Sequence, residues 1–279
     1  MSILQYLTSY AEPECSCPPP AGSYSHVVVI PAFDEVPASL DRIASRLAAD
    51  HKTLWIVVVN AAIDRDASEL ERTRYLLSAL ATGGTGLGYP GIHHTQRSMG
   101  DVVVVDRVSE GRELPAKQGV GLARKLGCDL ALAWHKQGVI QSPWIHCSDA
   151  DVTLPPRYFA AADELAADKA IAALSYPFWH NIESASAAGR ALELYEMSLR
   201  YYVLGLTWAG SAYAFHCIGS TMAVRSRAYY QVRGIPKRQA GEDFYLLNKV
   251  AKVGRVQVPE CEPIQIEQRR SQRTPFGTG

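Results

Sequence analysis

Residues 26–35 read His-Val-Val-Val-Ile-Pro-Ala-Phe-Asp-Glu. The run 26–30 is short, β-branched and without polar alternation, the pattern of a strand buried on both faces. It stops at Pro31, and two carboxylates follow at Asp34 and Glu35. Beyond them, Leu40, Ile43, Ala44 and Leu47 fall at helical spacing across residues 38–50, with Pro37 suited to a first helical turn. A buried strand, a polar turn and a helix form the opening unit of an α/β fold.

Outward from that unit the pattern repeats. Residues 54–59 predict a second buried strand, 67–80 a helix, 83–91 a Gly-rich loop and 101–105 a third strand. A long helix at 115–136 and a fourth strand at 142–147 follow. Strands alternating with helices of this length imply a Rossmann-like, mostly parallel sheet covered on both faces. The second half is less regular: helix 156–168, strand 170–174, helix 186–204, an apolar stretch to Gly219, strand 221–224 and a helix opening near Glu242.

The composition supports one α/β domain and narrows the partners. A chain of 279 residues that is 47% hydrophobic buries a substantial core. Lys plus Arg equals Asp plus Glu at 28 each, so no overall field draws nucleic acid or an anionic membrane, and an anionic ligand must be held locally. The six cysteines show neither a CxxC pair nor a Cys/His zinc spacing. Cys15 and Cys17, in a Pro-rich arm at 1–24, are expected in a solvated segment, and reduced thiols fit a cytoplasmic protein. No basic stretch with a long apolar run opens the chain, and no transmembrane segment is expected. Residues 203–219 are nearly free of charge and rich in aromatics. They read either as buried core or as an apolar acceptor pocket or peripheral membrane contact.

In open α/β sheets ligands bind beyond the carboxyl ends of the strands. Those positions are polar here: Pro31 to Glu35 after the first strand, Asn60 to Asp66 after the second, and Ser148-Asp149-Ala150-Asp151 after the fourth. Three acidic clusters on one edge repel one another unless a cation or a ligand's donors lie between them. Asp149 and Asp151, two apart across a small alanine, present hard oxygens that suit magnesium or manganese completed by phosphate oxygens and water. A lone D-x-D also occurs in ordinary turns. Its place after a buried strand and two other polar strand ends gives it weight.

In order and spacing these elements resemble the family-two glycosyltransferases and related GT-A enzymes. The resemblance runs through Val29 to Glu35, Val57 to Asn60, Gly121 to Gly127, Asp149 to Val152, Gly219 to Arg225 and Gly241 to Phe244. It implies a GT-A fold and transfer of a sugar from a nucleotide diphosphate donor, with a divalent metal, to an acceptor hydroxyl the sequence does not identify. Pro31, Ala32, Phe33, Glu35, Asn60 and Asp64 would hold the nucleoside. Lys117 and Arg124 would lie near the diphosphate. Asp149 would face the ribose or reach the metal through water, and Asp151 would ligate the metal. Of Glu242 and Asp243, Asp243 is favoured as general base for an inverting transfer; by themselves the two also read as an acidic helix start.

The expected division is the arm at 1–24, a glycosyltransferase domain at 25–264 with a nucleotide-binding half at 25–151 and an acceptor half at 152–264, and a basic tail at 265–279. Family members commonly add a late metal-binding histidine, whereas no histidine follows His216. The tail offers Glu267, Arg269, Arg270 and Arg273, as a lid over the diphosphate or as a solvated appendage. A retaining GT-A enzyme of the glycerate or phosphoglycerate kind, a sugar nucleotidyltransferase and a non-catalytic nucleotide-sugar module are the alternatives. A dehydrogenase is disfavoured, because the G-x-G-x-x-G at Gly86 to Gly91 follows a helix and contains Pro90. His93 and His94 adjoin on a loop and read as surface or core residues.

Overall fold

The computed structural model describes residues 1–47, 51–183 and 186–268. A short helix α1 (Ile3–Ser9) precedes β1 (His26–Ala32), α2 (Pro37–Ile43), β2 (Thr53–Asn60) and α3 (Ala67–Ala81). Then come β3 (Thr85–Gly86), β4 (Ile92–Arg97), β5 (Gly100–Arg107), α4 (Gly119–Lys136) and β6 (Trp144–Cys147). The second half holds β7 (Val152–Thr153), α5 (Tyr158–Glu164), β8 (Ile171–Ser175), β9 (Phe178–Asn181) and α6 (Ala187–Trp208). It closes with β10 (Met222–Arg225), α7 (Ser226–Gln231), α8 (Glu242–Val250), β11 (Arg255–Gln257) and β12 (Ile264–Glu267).

Nine strands form one sheet in the order β11-β8-β10-β6-β1-β2-β5-β4-β3. Only β10 and β4 run against the rest, so the sheet is mostly parallel. Alternate residues of each central strand enter opposite cores. Val27 and Val29 of β1 with Ile56 and Val58 of β2 pack under α4, whereas Val28 and Ile30 with Val57 and Val59 pack under α2, α3 and α5. That two-sided burial is why these strands read as unbroken apolar runs. Three further strands form a second sheet in the order β7-β12-β9.

α4 is the most buried helix: every residue from Gly121 to Trp134 is buried. It lies so close to the sheet that a Cβ at Gly127 would overlap the Val29 side chain. The residues ahead of β1 cover its outer side and correct the expectation of a solvated arm. Tyr6 and Cys17 are fully buried. Asp129 of α4 accepts from the Tyr6 hydroxyl at 2.6 Å, the Glu12 amide at 2.8 Å and the Tyr229 hydroxyl at 2.8 Å, and pairs with Lys125 at 2.8 Å. The Trp134 indole donates to the Cys17 carbonyl. Together with Tyr229 of α7, these groups satisfy the buried polar atoms of α4.

Four further expectations change. The Gly-rich loop 83–91 contains β3, the edge strand, and leads to β4, whose His93, His94 and Gln96 hid it in the sequence; His94 pairs with Asp101 of β5 at 2.7 Å. The helices expected at 115–136 and 156–168 are confined to α4 and α5. α6 runs past residue 204 to Trp208. Residues 203–214 are not buried core, with Leu204 65% and Trp208 91% exposed, whereas Phe215 is part of it. Residues 48–50, the expected end of the first helix, and the arginines Arg269, Arg270 and Arg273 lie outside the described residues.

Candidate active site

At the carboxyl end of β1 the sheet parts. β6 pairs with β1 only through Val28 and Val29, and the last bond on that side runs from the Ser148 amide to the Val29 carbonyl. Pro31, two residues on, points the same way and has no N–H to offer, so the ladder ends there and the two strands diverge. A cleft of about 680 Å³ opens at this point, where ligands collect in open α/β sheets.

Of the residues singled out in the sequence, Pro31, Phe33, Glu35, Asn60, Asp64, Arg124, Asp149, Asp151, Glu242 and Asp243 all line it. Ala32 is buried within β1 and Lys117 is exposed; neither lines the cleft. Phe33 carries the Arg65 guanidinium over its ring at 5.1 Å. The Asn60 amide donates to the Ala32 and Val58 carbonyls, pinning the ends of β1 and β2 and leaving Asp64 as the carboxylate beyond β2 in the cleft. Asp34 faces away and takes a two-pronged pair from Arg72 of α3, which holds its backbone at φ 56.

Arg124 of α4 is the hub of the floor. Its Nε donates to Glu242 at 3.2 Å, one terminal nitrogen to the Ser148 and Gly219 carbonyls, and the other to Asp149 at 2.9 Å. The guanidinium is 2% exposed and spends its donors within the protein. It ties together the segments after β6, before β10 and at the start of α8, rather than standing free for a phosphate. Gly241 enters α8 with φ 70, a left-handed turn that glycine adopts without strain. Burial raises the Glu242 carboxyl to about 7 against the pull of Arg124, and burial likewise raises Asp243. Asp243 accepts from the Phe244 amide at 2.7 Å.

The second half adds lining residues that the sequence did not reveal. Tyr195 of α6, Cys217, Ile218, Gln239 and Phe244 face the cleft. They lie on irregular segments or on a helix whose register gives no hint of a site. Burial pushes the Cys217 thiol up to about 12, which keeps it protonated and rules against a nucleophilic role. Opposite, the Glu267 amide donates to the Asp151 carbonyl, joining β12 to the loop that carries the two aspartates. Among the described residues no three His, Cys, Asp or Glu side chains are grouped to hold a metal by themselves.

The fold is similar to that of solved structures. S. aureus TarS, residues 1–349 in complex with UDP-GlcNAc, superposes with a TM-score of 0.52 at 12% identity, over 89% of this chain and 60% of that one. The mannosyltransferase PcManGT from Pyrobaculum calidifontis, in complex with GDP-Man and Mn2+, gives 0.50 at 16% identity, over 97% and 64%. The chain has the GT-A fold. It spans less than two thirds of the length of these GT-A structures. No family model matches the sequence, and no curated protein does. Among the described residues, no helix is long and apolar enough to cross a membrane.

Proposed function

We propose that this chain is a nucleotide-sugar glycosyltransferase that holds the donor in the cleft after β1 and transfers its sugar, with inversion, to an acceptor hydroxyl. One observation carries the reading: the strand-end carboxylates Asp149 and Asp151, the nucleoside-side residues Phe33 and Asp64, and the helix-mounted Glu242 and Asp243 share one cleft. The GT-A structures similar to this chain hold a UDP-sugar or a GDP-sugar with Mn2+.

Phe33, with Pro31 and Glu35, holds the nucleoside, and Asp64 reads ribose or base donors. The site fits a divalent cation bound together with the diphosphate rather than a cage made by protein alone, since Asp149 and Asp151 line the cleft from one loop and magnesium or manganese commonly takes one or two carboxylates with phosphate oxygens and water. Asp151 would hold the cation directly, and Asp149, shared with Arg124, would act on it through water or meet the ribose. Such a cation stabilises the charge that develops on the departing diphosphate. Asp243 takes the proton from the acceptor hydroxyl, and Glu242, locked to Arg124, positions the start of α8.

Thermal-shift measurements with nucleoside diphosphates, with and without manganese, followed by product analysis on the matching sugar nucleotide, test the reading. Metal-dependent stabilisation and release of a nucleoside diphosphate are expected. Release of pyrophosphate makes the chain a nucleotidyltransferase, and binding with no turnover makes it a binding module.

A further inference from the structure

α6 is 22 residues long, yet its buried residues, Gly189 and Leu192, lie near its start. Further along, Leu199 packs against the core, Glu196 accepts from the His180 amide, and Arg200 donates to the Phe178 carbonyl. The opposite face carries Leu194, Met197, Tyr201, Leu204 and Trp208, exposed by 67, 65, 79, 65 and 91%. Their steps of three, four, three and four residues are the a and d positions of a heptad repeat. Ala191, Ser198 and Gly205, each exposed, then fall seven apart along one flank of the stripe.

We propose that this face is the contact between two copies of the chain, with two α6 helices packed side by side about a twofold axis. The area suffices. Tyr201 and Trp208, with Leu194, Met197 and Leu204, offer roughly 600 Å² of exposed side chain per copy, taking aromatics at about 150–250 Å² each. A standard interface takes about 800 Å² from each partner, and the small flank brings backbone into contact to make up the rest. The composition is that of an interface core, rich in Tyr, Trp and Met and poor in Lys, Glu and Asp. A bilayer fits less well: helices lying in that interface are rich in Lys and Arg on their polar face, and residues 201–208 have neither. Small residues at 191, 198 and 205 would leave gaps against acyl chains, whereas they let a second helix come close.

The pairing bears on the cleft, because Tyr195, on the side of α6 away from the stripe, lines it. A second copy would fix the otherwise unsupported end of α6 and so hold that wall of the site. The inference rests on α6 alone and not on the catalytic reading, so its test needs no turnover.

Sedimentation velocity on the full chain across ~1–100 µM, the range in which modest interfaces dissociate, reads the assembly directly. A dimer is expected. Tyr201→Glu with Leu204→Glu should weaken it at least tenfold while circular dichroism, and the melting temperature at concentrations where both chains are monomeric, stay unchanged, since both side chains face solvent in one copy. Gly205→Leu should also weaken it, by blocking the close flank. A wild-type chain that stays monomeric throughout overturns the proposal, as does a Gly205→Leu chain that dimerises normally. Flotation of a monomeric wild type with phosphatidylcholine vesicles, lost in the double variant, overturns it in favour of a bilayer contact.

Discussion

At Asp243, burial raises the carboxyl pKa while the bond from the Phe244 amide favours the anion. A base of raised pKa accepts a proton more readily near neutrality, and general-base catalysis contributes about 10² to 10⁴ in rate. Asp243→Asn is therefore expected to lose kcat on that scale and to keep nucleotide affinity, measured by calorimetry, because the nucleoside is held at the ends of β1 and β2. The wild-type rate should fall on the acid side at a pH above the usual carboxylate range, since the base must be ionised. Asp151→Ala is expected to remove the metal dependence of donor binding while the melting temperature of the ligand-free protein holds; a variant still bound more tightly with manganese than with chelator would take the metal away from Asp151. Arg124 is different in kind. Lysine cannot reproduce a fork that meets Asp149, Glu242 and two carbonyls, and breaking a buried ion pair costs about 3–5 kcal/mol. Arg124→Lys should thus lower stability in urea as well as activity, whereas the two aspartate variants lower activity alone.

Among the elements, α4 is set by its glycines. Alanine at position 127 would gain about 1 kcal/mol in helix propensity, yet its Cβ would meet Val29 of β1. Overpacking costs about 1–3 kcal/mol. Gly127→Ala is expected to be net destabilising, and Val29→Ala beside it should recover part of the loss in a double-mutant cycle; a neutral single variant would mean that α4 shifts freely on the sheet. The central strands and α4 were legible in the sequence because burial on both faces writes itself as unbroken apolar runs. The strand ends that form the donor side of the cleft were legible for the same reason, since Asp149, Asp151 and Asn60 stand out against those runs. β4 was not, because a half-buried strand beside the two-residue edge strand β3 carries histidines and glutamine. The N-terminal residues were misread because one Tyr6, one Asp129 and a few backbone amides hold them, and no periodicity announces a contact between residues over a hundred apart in sequence. Tyr195, Cys217 and Gln239 were missed because loop closure and the rotation of α6, rather than local pattern, bring them to the cleft. Lys117 was placed beside the donor by resemblance, but α4 opens at Gly119 and leaves it outside the cleft.

For the whole molecule, the face of the sheet under α5 sets how stability answers to pH. His146, fully buried on β6, has no hydrogen-bond partner among the described residues at either ring nitrogen and is packed among His26, Tyr158, Phe159 and Tyr176. His26 stacks on Phe159 and faces His51 and Asp163. Burial lowers the pKa of His146, and burial with the neighbouring His51 lowers His26 to about 4. In the unfolded chain both titrate near 6.5. Between these values the unfolded state binds more protons, so stability contributed by the two neutral rings is full above about pH 6.5 and is lost as pH falls toward 4. Glu242 and Asp243 act in the opposite sense, because their raised folded pKa values let the native state take up protons first. Substitution of one ring separates the contributions. His146→Phe keeps an aromatic of similar size, removes no hydrogen bond and leaves no titrating group among Tyr158, Phe159 and Tyr176. Its melting temperature at pH 7.5 should match or exceed the wild type, and its decline between pH 7 and pH 5 should be shallower. A variant that melts lower at pH 7.5 and keeps the full acid slope would place the pH response outside this cluster and give the His146 ring a polar role among its neighbours.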